Sequence, residues 1–422
     1  MSLEFREQPG GTIYGLSPAI YHIRETSSSV RAEANFRYVL KVYIWSNDNP
    51  NNRPSLSSPT FTLSKLPDSN NVGIFDISQL IRSKLTFQEP SALLNANSTQ
   101  VNNSTASSDN TTGTAVWVQA YASYTSDAST ASDVAGAVRL SVRGFTQYSQ
   151  GVNSTHSSRA TMSNFIDGLV IPNSLQFSAS FLTAVVDNLV IEGEHGINYA
   201  IDMTSKDTTE STQSFVHVLL GSDLYGQSLE KRRQDIAADS GTIESFSCVY
   251  NYATKTNDTY TIIAKDSGVE KRRMSVEVAC ADSYTQFFIG FLNRYGAYDY
   301  IPALKAREDS ATFERREFKN SYLTTAETDA PTYTTSEGTD RIFEANGQES
   351  ITINTGYQPE DIFEMITDMM QSEKVFLVDG TTIVPLIPSS GEVAKQKHIN
   401  NKLVNYTLAF RVANDLKNMV TI

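Results

Sequence analysis

The sequence predicts a mainly β protein with minor α content, in which β-sandwich domains precede a small C-terminal β-α-β-β-β module. Composition, one long alternating segment and a hairpin signal near the C-terminus support this prediction. The chain of 422 residues contains 20 Tyr and 20 Phe but only 2 Trp, and aromatic residues favour a pleated, half-buried surface. Hydrophobic residues make up 40% of the chain, which is enough to build folded cores and argues against global disorder.

The first region, residues 1–149, is predicted to form a β-sandwich-like domain with one short helix and one long polar loop. Asp76 is a suitable N-cap for a helix over Ile77–Leu85. The Asn/Ser/Thr-rich stretch Asn95–Thr114 is predicted to be an exposed loop, because it has little apolar surface to bury. The strongest strand signal is Phe36–Trp45, in which five apolar residues at period two are expected to face one core: Phe36, Tyr38, Leu40, Val42 and Ile44.

Three further regions follow along the chain. Residues 150–240 are predicted to be a second β-rich region, with weaker strand patterns than the first. Residues 241–344 are predicted to form a β-meander domain that contains an aromatic Asn-Arg-Tyr-Gly motif. Residues 345–422 are predicted to form the C-terminal module. The two cysteines, Cys248 and Cys280, lie in apolar segments, and we interpret them as reduced core thiols.

The C-terminal module has the most regular pattern. A strand is predicted at Ser350–Thr355, and a helix is predicted to begin at Pro359, a residue that suits the first helical turn. Asp379-Gly380 between two apolar runs indicates a β-hairpin. Pro385 then predicts an edge strand or a bulge, and Leu403–Val412 is predicted to be the closing strand.

Charge and hydropathy limit the classes of partner. The net charge of -13 and the pI of about 4.9 disfavour general binding to nucleic acids. The first residues are polar and acidic, and no apolar run reaches the ~20 residues that span a bilayer. We therefore expect no signal peptide, synthesis in a host cytoplasm and no membrane partner.

The residues give no pattern of catalysis. The five histidines are scattered, and nucleophile-elbow, phosphate-loop and dinucleotide motifs are absent from the sequence. Glu192-Gly193-Glu194-His195 fits a polar turn better than a metal site, which would need a further ligand. The sequence therefore predicts no enzyme activity, no cofactor and no metal site. A pair of carboxylates that cleaves glycans stays open as an alternative.

Two stretches resemble structural proteins of tailed bacteriophages, in particular those that infect Bacteroidetes-type bacteria. Phe291–Tyr300 is similar to an aromatic-Asn-Arg-aromatic-Gly motif in those proteins, and Thr355–Phe410 is similar to their C-terminal part. The resemblance implies a virion protein of the tail, neck or baseplate, which forms a homo-oligomeric ring or sleeve and binds other virion proteins. It implies no catalytic residues. Candidate residues of an interface or a structural motif are Asn293, Arg294, Tyr295, Gly296, Tyr298, Tyr300, Asp379 and Gly380.

A carbohydrate-binding adhesin or receptor-binding module of the virion is the alternative function, with a host glycan as its partner. Tyr295, Tyr298 and Tyr300 have the spacing of an aromatic sugar-binding platform, but period-two aromatics more often fill a core or an interface.

Overall fold

The computed structural model confirms a mainly β protein with few helices. It describes residues 3–10, 13–46, 53–86, 115–153, 287–294, 298–303, 306–320, 338–379, 382–389, 391–395 and 403–416, short pieces between 323 and 336, and the backbone of strands between 169 and 279. The loop predicted at Asn95–Thr114 lies outside the described residues.

The N-terminal region is a two-sheet sandwich. One sheet has the strand order β1-β3-β6, and the other has the order β2-β9-β7-β4-β5 with β8 paired to β7. The elements are β1 (Leu3–Glu7), β2 (Ile13–Tyr14), β3 (Ile20–Glu25), α1 (Ser28–Arg31), β4 (Arg37–Trp45), β5 (Phe61–Lys65), β6 (Val72–Asp76), α2 (Ser78–Arg82), β7 (Ala115–Thr125), β8 (Val134–Ala135) and β9 (Arg139–Val142).

A single apolar core joins the two sheets of this sandwich. All five residues predicted to face one core from β4 are buried in it. Side chains on the other side of β4, such as Tyr43 and Trp45, are buried as well. Strand β4 is central in its sheet, between β5 and β7. Its second face is covered in part by the segment that precedes β5, where the Tyr43 hydroxyl donates to the carbonyl oxygen of Leu56 at 2.6 Å, so β4 reads as a near-continuous apolar run.

The short helix is present, but Asp76 is not its N-cap. Helix α2 begins one position later than predicted, with Ile77 at the cap position and no side-chain cap hydrogen bond. The Asp76 carboxylate instead accepts hydrogen bonds from the amides of Ala19 and Ser78 at 3.1 and 2.9 Å. Asp76 therefore connects the end of β6 to Ala19, just before β3, and to the start of α2. Ile77 and Ile81 enter the core.

The middle of the chain contributes nine strands whose backbones are described. Five of them form a sheet in the order β10-β18-β17-β12-β13, and two pairs, β11-β14 and β15-β16, lie apart from it. This five-stranded sheet draws strands from both predicted regions, 150–240 and 241–344. The strands are β10 (Leu169–Pro172), β11 (Phe177–Leu182), β12 (Asn188–Gly193), β13 (Asn198–Asp202), β14 (Phe215–Leu220), β15 (Glu230–Gln234), β16 (Ser245–Val249), β17 (Asp258–Asp266) and β18 (Val269–Ala279).

The C-terminal part is built on a seven-stranded sheet in the order β20-β19-β24-β25-β27-β22-β21. The predicted division between residues 344 and 345 falls inside β22. The elements are β19 (Phe287–Leu292), β20 (Tyr298–Ala303), β21 (Arg307–Lys319), β22 (Asp340–Asn354), β23 (Gln358–Pro359), α3 (Ile362–Met370), β24 (Val375–Asp379), β25 (Thr382–Pro388), β26 (Leu403–Val404) and β27 (Thr407–Asp415).

Two details of the module differ from the sequence prediction. Pro359 does not start the helix, because it lies in β23, which pairs with β26, and α3 begins at Ile362. Strand β25 is not an edge strand, since it lies between β24 and β27. Pro385 is tolerated there because the pairing with β27 starts only at Leu386, so Pro385 has a strand on one side alone.

Candidate functional site

The structure buries the Asn-Arg part of the predicted motif inside the chain. Asn293 is 2% exposed and follows the end of β19. Tyr298 and Tyr300 belong to β20, where they pair with Leu292 and Gly290, and only their backbone is described. Asp379 ends β24. Three candidates lie outside the described residues: Tyr295, Gly296 and Gly380.

Arg294 forms a two-pronged ion pair with Asp368 on helix α3. The Nε atom of Arg294 donates to both carboxylate oxygens of Asp368, at 2.9 and 2.7 Å, and a terminal nitrogen donates to one of them as well. Burial raises the pKa of Asp368, and the hydrogen bonds from Arg294 partly offset that effect. The pair fixes α3 to the end of β19, across 74 residues of sequence.

The backbone of Arg294 also contacts the N-terminal sandwich. Its carbonyl oxygen accepts a hydrogen bond from the amide of Phe145 at 2.8 Å. A Cβ atom on Gly144 would lie 2.3 Å from that same oxygen, so only glycine lets the two segments approach this closely. The motif therefore connects α3 through its side chain and the sandwich through its backbone.

Glu373 provides a second contact between the sandwich and the C-terminal part. Its carboxylate accepts hydrogen bonds from Arg82, at the end of α2, and from the Nε atom of Arg143 at 2.7 Å. Arg143 also donates to the carbonyl oxygen of Leu85 at 2.8 Å. We call these residues the joint, which consists of Arg82, Arg143, Gly144, Phe145, Arg294, Asp368 and Glu373.

The joint shows what the buried part of the motif does chemically. It uses charge-assisted hydrogen bonds to hold two folded parts of one chain in a fixed relation. Arg294 and Asp368 have side chains only 15% and 4% exposed, so within the described residues they are not available to an external partner.

The seven-stranded sheet carries a second feature, which the sequence analysis did not predict. Strands β21 and β22 are 13 and 15 residues long and pair along their whole length. Strand β27 covers β22 only from Gln348 to Asn354. The remaining ribbon, residues 313–319 paired with 340–347, extends past the sheet by roughly 20 Å at about 3.4 Å per residue. We call this ribbon the arm.

The arm exposes apolar side chains among charges of both signs. Phe313, Ile342 and Phe343 are 58%, 57% and 75% exposed. Four basic residues and four acidic residues of the arm balance, so its net charge is zero in a chain of net charge -13. The charged residues are Arg315, Arg316, Lys319 and Arg341, and Glu314, Glu317, Asp340 and Glu344.

A β-bulge lies in the middle of the arm, on the inner strand. Arg316 pairs with Glu344 and Glu317 pairs with Ile342, which leaves Phe343 as the extra residue of β22. The outer strand β21 keeps its regular alternation. Among the described residues no strand pairs with the outer edge of β21, so its backbone groups there are open to another strand.

Local sequence carries only a weak signal for the arm. Thr312, Phe313 and Phe318 are strand-forming residues, but the charges between them are typical of a solvated surface segment.

The described residues do not indicate other chemistry. They contain no group of three or more His, Cys, Asp or Glu side chains that could hold a metal ion. His195 and its neighbour Glu194 lie outside the described part of the chain. None of the helices in that part has the length and apolar character needed to cross a membrane.

Comparisons with known proteins do not assign this chain to a family. No family model matches the chain, and no curated protein matches it. Red sea bream transglutaminase is 10% identical with a TM-score of 0.18, over 67% of this chain and 32% of its own. Dimeric latent PorU from Porphyromonas gingivalis is 8% identical with a TM-score of 0.19, over 84% of this chain and 32% of its own. This chain spans about a third of the length of each of these two proteins, and similarities this low carry no argument about its function.

Proposed function

We propose that this protein is a structural component of a tailed-phage virion, in the tail, neck or baseplate, where it assembles with copies of itself into a ring or sleeve. The arm is the observation that carries the proposal. A two-stranded ribbon is marginally stable in water by itself, and this one exposes four large apolar side chains. A partner that covers the arm removes that surface from water and supplies strand pairing.

The joint supports the same function. A virion protein transmits shape from one contact to the next, which requires that its parts hold a fixed relation. The Arg294–Asp368 pair and the Glu373 contacts tie the sandwich, helix α3 and the seven-stranded sheet together. The net charge of -13 favours solubility before assembly.

The virion setting rests on the resemblance of Phe291–Tyr300 and Thr355–Phe410 to structural proteins of tailed phages. In this proposal the partners are further copies of the chain and other virion proteins, and the location is the virion. Nucleic acid, membrane, cofactor and metal have no part in it. No described side chain favours the glycan-binding alternative, which enters only as a rival outcome of the test.

Light scattering of the purified protein across a concentration series, with negative-stain images of the large species, tests the proposal. The expected result is a mass that rises with concentration and closed or stacked particles of uniform size. A monomer at every concentration that also fails to bind purified phage tails would contradict it. A monomer that binds defined sugars on a glycan array would favour the adhesin alternative.

A further inference from the structure

The outer edge of the arm has a charge order that suits pairing with itself. Along one edge of a strand, every second residue directs its N–H and C=O groups outward. When two copies of one strand pair antiparallel, outward residues oppose outward residues, so one residue opposes itself on a two-fold axis. For the segment Glu314-Arg315-Arg316-Glu317, the position of that axis decides which charges meet.

Two positions of the axis bring opposite charges together while most of the arm stays paired. An axis at Phe318 would also set Glu317 opposite Lys319, but it leaves only three residues of each copy paired because β21 ends at Lys319. An axis at Arg316 sets Arg315 opposite Glu317 of the second copy, twice by symmetry. An axis at Arg315 sets Glu314 opposite Arg316, also twice. In each case the arginine on the axis lies opposite the same arginine of the second copy. The two alternatives therefore differ in how the repulsion between these two arginines is offset.

Contacts within the chain favour the axis at Arg316. Its guanidinium group already lies 3.5 Å from the carboxylate of Glu344 on the neighbouring strand, which offsets the repulsion between the two copies. Arg315 lies opposite Ala345 instead and has no acidic cross-strand partner. With the axis at Arg316, Phe313 faces the aliphatic stem of Lys319 of the second copy, which can cover its exposed ring.

We propose that the arm docks on the arm of a second copy of this chain, through antiparallel pairing of the two β21 edges about a two-fold axis at Arg316. The proposal rests on the proposed self-assembly and names its contact. The zero net charge of the arm lets two acidic chains approach there. Each arm pairs with only one other arm, so this contact joins the copies in pairs. A ring that contains the contact therefore has an even number of copies.

Single cysteines along β21 locate the axis. Residues that oppose each other in an antiparallel pair have Cα atoms about 4.5–5.5 Å apart, within disulfide range. Mild oxidation is therefore expected to cross-link Arg316→Cys with itself more strongly than Arg315→Cys or Glu317→Cys, while a mixture of those two variants cross-links to each other. Lys65→Cys, on the exposed edge strand β5, and the wild-type chain with Cys248 and Cys280 are the controls.

Charge reversal provides a test without cysteines. Arg315→Glu opposes Glu317 with a like charge at both symmetric positions, and we expect the dissociation constant of the pair to rise about tenfold. Adding Glu317→Arg to the same chain restores the opposite charges and should recover most of the affinity. All these positions are exposed, so folding of the variants is expected to be unaffected.

The outcomes separate this inference from the proposed function. A chain that forms oligomers by mass, but whose cross-linking shows no maximum at Arg316→Cys and whose charge-swap variant recovers nothing, overturns the arm contact and leaves self-assembly standing. A chain that is monomeric at every concentration and does not cross-link overturns both.

Discussion

Arg294 makes two contacts at once, one through its side chain and one through its backbone. The energetic importance of the side-chain contact follows from the burial of the Arg294–Asp368 pair. Its guanidinium group meets a carboxylate that is almost fully buried, while its backbone oxygen receives the Phe145 amide. Burying one charge without its partner is costly, whereas removing both charges together is often tolerated. This asymmetry makes the pair testable.

Asp368→Asn is expected to lower the free energy of unfolding by about 3 kcal/mol, because it leaves Arg294 without its anion in a largely buried place. The double change Arg294→Met with Asp368→Leu removes both charges and should cost less than the single change. Urea unfolding measures each variant. The control is Asp361→Asn at the exposed start of α3, which should change stability by less than about 1 kcal/mol. An Asp368→Asn protein as stable as wild type would contradict this account of the pair.

Gly290 is a second residue whose identity is fixed by a close contact. It pairs with Phe376 across strands β19 and β24, and a Cβ atom there would lie 2.3 Å from the Phe376 ring. Gly290→Ala is therefore expected to lower stability by about 2 kcal/mol through overpacking. Thermal unfolding compares it with Gly391→Ala, where nothing lies within 4 Å. Equal melting temperatures for the two variants would show that the ring moves aside freely.

At the scale of elements, the joint determines how α2, α3 and the sandwich are held together. Glu373 lies just after α3 and accepts hydrogen bonds from two arginines of the sandwich. These contacts are partly exposed, with the Glu373 side chain 20% accessible, so their contribution is modest. They are expected to govern local opening of the joint rather than global unfolding.

Glu373→Ala should therefore speed hydrogen exchange of the Phe145 amide by about fivefold, which corresponds to roughly 1 kcal/mol from two partly exposed ion pairs. Amides in the middle of β4 should exchange as in wild type. Glu364→Ala, an exposed change on α3, is the matched control. Unchanged exchange at Phe145 would mean that the Arg294 carbonyl holds the joint without help from Glu373.

Sequence predicts those elements whose signals are local. The alternation in β4 correctly predicts the five residues that enter the sandwich core, and the apolar runs around Asp379 correctly predict the hairpin of β24 and β25. In contrast, the partner of Arg294 is 74 residues away, and no local spacing selects Asp368 among the acidic residues. The arm is not predicted for a related reason. Its mixed charges are typical of a solvated segment, and only the pairing of β21 with β22 shows that it is a ribbon.

At the scale of the whole molecule, the described residues combine a buried interior with the open edge of the arm. Exposed large apolar side chains of the N-terminal sandwich, such as Leu56, Leu66 and Ile74, are spread along the sequence, whereas Phe313, Phe318, Ile342 and Phe343 are gathered on the arm. The sequence predicts the mainly β class, but the predicted divisions at 240/241 and 344/345 cross two sheets, because strands distant in sequence share a sheet only through long-range pairing. The arrangement fits a protein whose folded body positions an assembly contact.

Sedimentation of the wild-type chain and of a Phe313→Ser, Phe318→Ser variant, over the same concentration series, tests self-assembly through the arm most directly. We expect the average mass of the wild type to rise with concentration, and the variant to need about tenfold more protein for the same mass, since it lacks two apolar contacts. Leu66→Ser and Tyr357→Ser, at similarly exposed positions elsewhere, should behave as wild type. A wild type that stays monomeric, or an arm variant that assembles as well as wild type, would contradict the account.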